Sequence, residues 1–239
     1  MIPIKLLCLP YSGASAMVYA RWRRKLPAWV QVQPVELPGR GARLAEALHT
    51  DMQALARQLA AEQRGAASGR YALLGHSLGA LLAFELAHEL QALGCPPPLA
   101  LFACGTAAPT RREDYDGKNW RQAKSDAELI DELRELQGTP EEVLSNQELM
   151  SLTLPVLRAD FLLCGHYQYR QRPALRCPVH VLGGEQDRAN AEQLNAWGQE
   201  SQGEFSLQLF PGGHFFIHEQ EDSVLAAIVG GLHKHRLSA

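Results

Sequence analysis

Tyr71-Ala72-Leu73-Leu74-Gly75-His76-Ser77-Leu78-Gly79-Ala80-Leu81-Leu82 is the stretch from which the fold can be read. A short apolar run leads to a serine with glycine two positions before and two after it, and Leu78, Leu82, Leu86 and Leu90 then recur every fourth residue. The run has a buried strand's length and the leucines have a helix's spacing. Ser77 therefore stands on a strand-turn-helix corner, the setting that a G-x-S-x-G nucleophile elbow requires. The glycines have a steric reason, since a Cβ at either position would collide with the neighbouring strand or helix.

The same rhythm extends outward. Apolar runs at Ile4–Leu9, Val32–Leu37, Leu99–Cys104, Val179–Leu182 and Phe205–Phe210 read as further strands, and Thr50–Gln63 reads as an amphipathic helix with Met52, Leu55, Ala56 and Leu59 on one stripe. Strands alternating with helices predict an α/β fold with a mostly parallel central sheet flanked by helices. Residues 107–169 break the alternation. Rich in Glu, Leu and Gln, they contain an amphipathic helix at Asp126–Leu136 and one or two more at Gln147–Tyr167 around Pro155, as expected of a helical lid insertion. With 239 residues, 46% hydrophobic and 21% charged, the composition is that of one globular unit of residues 1–239. A net charge of −3 gives no general attraction to nucleic acid or anionic lipid, and no apolar run approaches the ~20 residues of a membrane span. Residues 1–10 lack the longer apolar region and small-residue cleavage site expected of a signal peptide and read as a first strand. Five scattered cysteines, Cys8, Cys95, Cys104, Cys164 and Cys177, suggest reduced thiols and a cytoplasmic protein.

A serine hydroxyl needs a general base held by a third group, and behind such an elbow the chain order is Ser, then Asp or Glu, then His. His214, in Pro211-Gly212-Gly213-His214-Phe215-Phe216, follows the last strand on a glycine loop that can aim the ring back over the sheet. Of the other histidines, His88 lies on the helix after Ser77, His180 in a strand pattern, and His233 and His235 in a basic tail; His49 and His166 follow no strand end, and His76, beside the serine, is expected to point away from where a base is needed. Asp187 comes off the strand Val179–Leu182, with Glu185 as its rival; Asp160 and Asp222 sit in helical patterns, as solvated or capping groups. The oxyanion of a tetrahedral intermediate would be met by the backbone N–H of Leu78 and by one from the loop Pro10-Tyr11-Ser12-Gly13-Ala14-Ser15, with Ser12 the best placed.

These residues resemble a known family, the stand-alone type II thioesterases that accompany nonribosomal peptide and polyketide synthases. The resemblance spans nearly the whole chain. It rests on Leu9-Pro10-Tyr11-Ser12-Gly13-Ala14, Glu36-Leu37-Pro38-Gly39-Arg40-Gly41, the elbow, Leu157-Arg158-Ala159-Asp160-Phe161, Gly183-Gly184-Glu185-Gln186-Asp187 and Gly213-His214-Phe215-Phe216. Two departures are visible: Ala14, where the family usually has a second glycine, and Gly165, where members often carry glutamate. The resemblance implies an α/β-hydrolase fold and editing hydrolysis of thioesters on the phosphopantetheine arm of acyl or peptidyl carrier proteins, by a monomer without a bound cofactor or metal.

A general carboxylic ester hydrolase is the other enzymatic reading, and an inactive hydrolase-fold binding module the reading from another class. His214 and His218 are four apart, but the order lacks the H-E-x-x-H pattern of a zinc site. The basic run Arg21-Trp22-Arg23-Arg24-Lys25 reads first as a solvated helix face and second as a docking patch for an acidic carrier domain. Leu129, Ile130, Leu133, Leu136, Leu149, Leu152, Leu154 and Leu157 read as packing leucines or as the lining of an apolar acyl chamber under the lid.

Overall fold

The computed structural model describes residues 2–112 and 120–236. Its strands are β1 (Ile4–Leu9), β2 (Val30–Pro34), β3 (Tyr71–His76), β4 (Leu101–Cys104), β5 (Val179–Gly184) and β6 (Phe205–Phe210). They form one sheet in the order β2-β1-β3-β4-β5-β6, parallel at every pairing. β2 starts and ends earlier than its apolar run predicts. The ladder stops at the Cys8–Pro34 pair, and Val35 and Leu37 fill the core from the loop beyond it.

The helices are α1 (Met52–Ala67), α2 (Leu78–Ala92), α3 (Asp126–Leu136), α4 (Glu141–Leu144), α5 (Gln147–Gly165), α6 (Ala191–Asn195), α7 (Phe216–Glu219) and α8 (Glu221–His233). Asp51 caps α1 by accepting from the N–H groups of Gln53 and Ala54, and Ser125 closes a capping box with Glu128 on α3. α5 is a single helix that runs through Pro155. That residue is exposed, so the carbonyl it leaves without a donor can turn to water. The basic tail begins where α8 ends, at His233, and α8 buries Val224, Leu225, Ile228 and Leu232.

Leu7, Leu9 and Leu73 pack toward α1 and α2 on one face; Leu6, Cys8, Leu74 and Phe102 pack on the other with α8 and Tyr19 and Trp22 of a 3₁₀ segment at Ala16–Arg24. Both faces are covered, which is why the strands read as continuous apolar runs rather than alternating ones. This is an α/β-hydrolase architecture. A separate cluster of Trp120, Leu129, Leu133, Leu144, Met150, Leu154 and Leu157 holds α3, α4 and α5 together.

The strand order reverses between β1 and β3: from β1 the chain moves outward to β2, then returns to β3 on the other side. Loops leaving the carboxyl ends of these two neighbours diverge to opposite faces and open a crevice, the usual place for ligands in such sheets. Ser77 follows β3 and Tyr11–Ser15 follow β1, so both flank this crevice.

The glycines of the elbow are fixed by close approach. A Cβ on Gly75 would lie 1.9 Å from the Gly79 carbonyl oxygen, and one on Gly79 would lie 2.2 Å from the Leu9 carbonyl oxygen. Both obstacles are backbone. Gly79→Ala is expected to destabilise the fold by about 3 kcal/mol or more in chemical denaturation. Gly65→Ala in α1, where nothing lies within 4 Å, is expected to stabilise it by about 0.5–1 kcal/mol.

Candidate active site

Ser77 has φ 55° and ψ −116°, one of two described non-glycine residues with positive φ. The turn is held from behind by its own N–H, which donates to the Cys104 carbonyl at 2.8 Å. Such a conformation persists only where its surroundings over-determine it, and here β4 on one side and the packed glycines on the other do so.

β5 ends in Gly183-Gly184. A Cβ on Gly184 would lie 2.2 Å from the Gly213 carbonyl oxygen, so the pair lets the loop after β6 approach the end of β5. Gln186 staples the two loops: its N–H donates to Gly212 O at 3.0 Å, and its side-chain oxygen accepts from Gly212 N–H at 2.7 Å. The approach brings His214 to Asp187. The ring's Nδ1 lies 3.0 Å from both Asp187 oxygens, with the two side chains 7% and 1% exposed. Arg188 N–H donates to Asp187 Oδ1 at 2.7 Å and helps fix the carboxylate. Glu185 is exposed and interacts with Gln186 rather than with the ring. Since Nδ1 faces a carboxylate, Nε2 is the ring nitrogen left for the cavity.

Ser12, Ser77, Leu78 and His214 line one small cavity. No hydrogen bond joins the Ser77 hydroxyl to the ring among the described residues, a contact that in unliganded enzymes often tightens only with substrate. The N–H groups of Ser12 and Leu78 likewise have no hydrogen-bond partner among the described residues. These are the two donors expected to meet an oxyanion, and both residues line the cavity beside the half-buried Ser77.

His76 is not among the residues that line the cavity at Ser77. Fully buried, its ring lies 4.9 Å from that of His214, and burial, then the nearby His214, keeps it neutral well below the ordinary histidine range. Tyr11 packs edge-on against His76, Phe215 and His218, and its hydroxyl lies 2.9 Å from His218 Nε2. His218 and His214 are thus engaged by Tyr11 and Asp187.

Residues 4–232 match the thioesterase-domain family. The gramicidin S biosynthesis protein GrsT of Aneurinibacillus migulanus is 38% identical over 91% of this chain and 84% of its own length. The chain belongs to the thioesterase-domain family. This thioesterase is also similar to the solved RedJ thioesterase of the prodiginine pathway in Streptomyces coelicolor, at 35% identity, TM-score 0.89, covering 97% of this chain and 91% of that one. The type II thioesterase BorB of the borrelidin cluster is 38% identical, TM-score 0.87, over 96% and 93% of the two chains. Hydrolysis of thioester bonds is the activity of the family, and this thioesterase is a hydrolase.

The two departures from the family pattern have structural reasons. Ala14 does not have positive φ, so no glycine is required there. A Cβ on Gly165 would lie 2.0 Å from the Trp120 carbonyl oxygen, so the backbone at Trp120 occupies the place of a larger side chain.

Two other expectations are corrected. Asp160 is neither solvated nor a cap: it is fully buried and paired with Arg40. The basic run is a solvated face, as read first: Arg21, Arg23, Arg24 and Lys25 are exposed, while Trp22 is buried and donates to Glu221, Arg21 pairs with Glu221 and Lys25 with Glu221 and Asp222. Arg23 and Arg24 are its remaining cations. Finally, the cavity at Ser77 is not a roomy apolar chamber. It holds about 40 Å³ and is lined by Arg112, Glu132 and Arg188 as well as Trp120, Leu136 and Phe161. Of the candidate lining leucines, Leu129, Leu133, Leu154 and Leu157 pack on one another and Leu149 and Leu152 are exposed. Arg188 pairs with Glu132 and Glu135 of α3, and a Cβ on Gly138 would strike the Phe215 ring, so α3 and the turn after it sit down on the histidine loop. A 560 Å³ recess around His88, Arg172 and Arg176 lies about 15 Å along α2 from Ser77 and belongs to the other end of the sheet.

Burial, and then Arg172, pull His88 down to about 4; burial first also lowers His180 and His218. An unfolded chain protonates these rings near pH 6.5, whereas the folded one resists until lower pH. Between about pH 6.5 and 4 the unfolded state therefore binds more protons, and stability falls as pH falls. Urea midpoints at pH 7.5 and 5 should show a smaller drop for His88→Gln than for the parent; an equal drop would contradict the assignment.

Proposed function

We propose that this chain is a stand-alone editing thioesterase of nonribosomal peptide or polyketide assembly lines, clearing aberrant or stalled acyl and aminoacyl groups from the phosphopantetheine arms of carrier proteins. The observation that carries the reading is His214, its Nδ1 against both oxygens of buried Asp187 and its ring on the cavity that Ser77 lines. The names of the similar proteins, drawn from antibiotic and related pathways, support the choice of substrate.

In this reading Ser77 Oγ attacks the thioester carbonyl as His214 Nε2 takes its proton, and Asp187 holds the ring and stabilises the imidazolium. The N–H groups of Leu78 and Ser12 receive the oxyanion. The C–S bond then breaks, the pantetheine thiol leaves, and the acyl group remains on Ser77. Water, deprotonated by the same imidazole, attacks the acyl-enzyme; the acid departs and Ser77 regains its proton. Each proton is carried by His214, so the cycle calls for no cofactor or metal, and one chain supplies every group. Free cysteines and the absence of any helix long and apolar enough to cross a membrane among the described residues suit a cytoplasmic enzyme working beside its synthase.

Residues 107–169 act as the lid of a single hydrolase unit; 113–119 lie outside the described residues. The cavity is narrow and α3 covers it through the ion pairs at Arg188, so in this reading α3 moves aside as an acyl-pantetheine enters.

With a carrier-bound acyl thioester as substrate, Ser77→Ala, His214→Ala and Asp187→Asn should each lower kcat by about 10³–10⁴-fold or more in steady-state assays, with normal folding. The matched oxygen ester should be turned over with lower kcat/KM. Clear preference for the ester would favour a general carboxylic ester hydrolase.

A further inference from the structure

The loop expected to supply the second oxyanion donor is held by a device that the triad does not use. Ala14 N–H donates to Tyr11 O at 3.0 Å, which makes Tyr11–Ala14 a turn with Ser12 and Gly13 at its centre, and Gly13 has φ +79°, the value of the third residue of a type II turn. Gly13 N–H points out of that turn and donates to Asp160 Oδ2 at 2.8 Å. Asp160, on α5, is fully buried, and Arg40 grips it with two hydrogen bonds, Nη1 to Oδ2 at 2.6 Å and Nη2 to Oδ1 at 2.7 Å, itself only 6% exposed. The contact is reinforced by packing: a Cβ on Gly13 would lie 2.7 Å from Leu157, one turn earlier on α5.

A buried ion pair is a poor source of net stability, because desolvating both charges offsets most of their attraction. This one joins three loops or helices from distant parts of the chain and takes up one of the turn's two outward N–H groups. The other, Ser12 N–H, is left without a partner beside Ser77.

We propose that Arg40 and Asp160 are positioning residues for the oxyanion hole: the carboxylate, locked by the guanidinium, pins the Tyr11–Ala14 turn through Gly13 N–H so that Ser12 N–H stays aimed at the reacting carbonyl. Because Asp160 is carried by α5, the second donor is placed correctly only while that helix is seated. The inference rests on the reading of Ser77 as the nucleophile.

The test compares Asp160→Asn with the double variant Arg40→Met/Asp160→Leu. Replacing a buried pair by apolar residues of similar size is often neutral or stabilising, so the double variant separates loss of the grip from loss of the fold. Each variant is quantified by fluorophosphonate titration of Ser77, and its melting temperature is recorded. Per titrated site, kcat should fall about 10²-fold with KM for the carrier-bound thioester nearly unchanged, as expected for a misplaced oxyanion donor. The Ki of a trifluoromethyl ketone that forms a tetrahedral adduct on Ser77 should rise by a similar factor, while a non-cleavable pantetheine thioether binds as before. Unchanged kcat and Ki in a folded double variant would overturn the inference alone. Full activity of Ser77→Ala would remove the underlying reading and the inference with it.

Discussion

The Leu9 carbonyl oxygen lies 2.2 Å from where a Cβ on Gly79 would stand, and the rest of the site depends on that approach. It lets α2 begin directly against the end of β1, which forces the chain between β3 and α2 into the positive-φ turn that carries Ser77. The same closeness sets the loop after β1 beside the serine. Nucleophile and oxyanion loop are therefore neighbours by backbone sterics, before any side chain is considered. The location agrees with topology, since β1 and β3 flank the point where strand order reverses.

Polar contacts then fix what sterics leave free. At the ends of β5 and β6 a glycine pair permits contact, Gln186 staples the two loops, and the 3.0 Å contacts of His214 with Asp187 set the ring's orientation. On the other side of the cavity, Arg40 and Asp160 hold the turn after β1. Between them Ser77, His214, Leu78 and Ser12 line one narrow cavity, covered on one side by α3. Arg188 itself is partly exposed, as is its partner Glu135, though Glu132 is buried; the Arg40–Asp160 pair is buried on both sides and suits a fixed support.

Much of this was legible in the sequence because it is local. The elbow, the order of Ser77, Asp187 and His214, and the strand-helix alternation are written in short motifs and periodicities. What was not legible depends on contacts across long separations. Asp160 sits in an apolar helical pattern, and only its meeting with Arg40, 120 positions earlier, shows that it is buried. Both belong to blocks that carry the family resemblance, and a charged residue flanked by core positions was the available signal. The partners of the basic run were hidden for the same reason, since Glu221 and Asp222 are nearly 200 positions away. β2 was displaced because Val35 and Leu37 are buried without being paired as a strand.

The central claim is that Ser77 carries the acyl group during turnover. The most direct measurement is rapid-quench mass spectrometry of the intact and digested enzyme after mixing with an acyl thioester on its carrier protein. The account predicts an added acyl mass on the peptide containing Ser77, absent in Ser77→Ala. Turnover without that adduct, or an acyl group found instead on Cys164, the thiol that lines the same cavity, would contradict it.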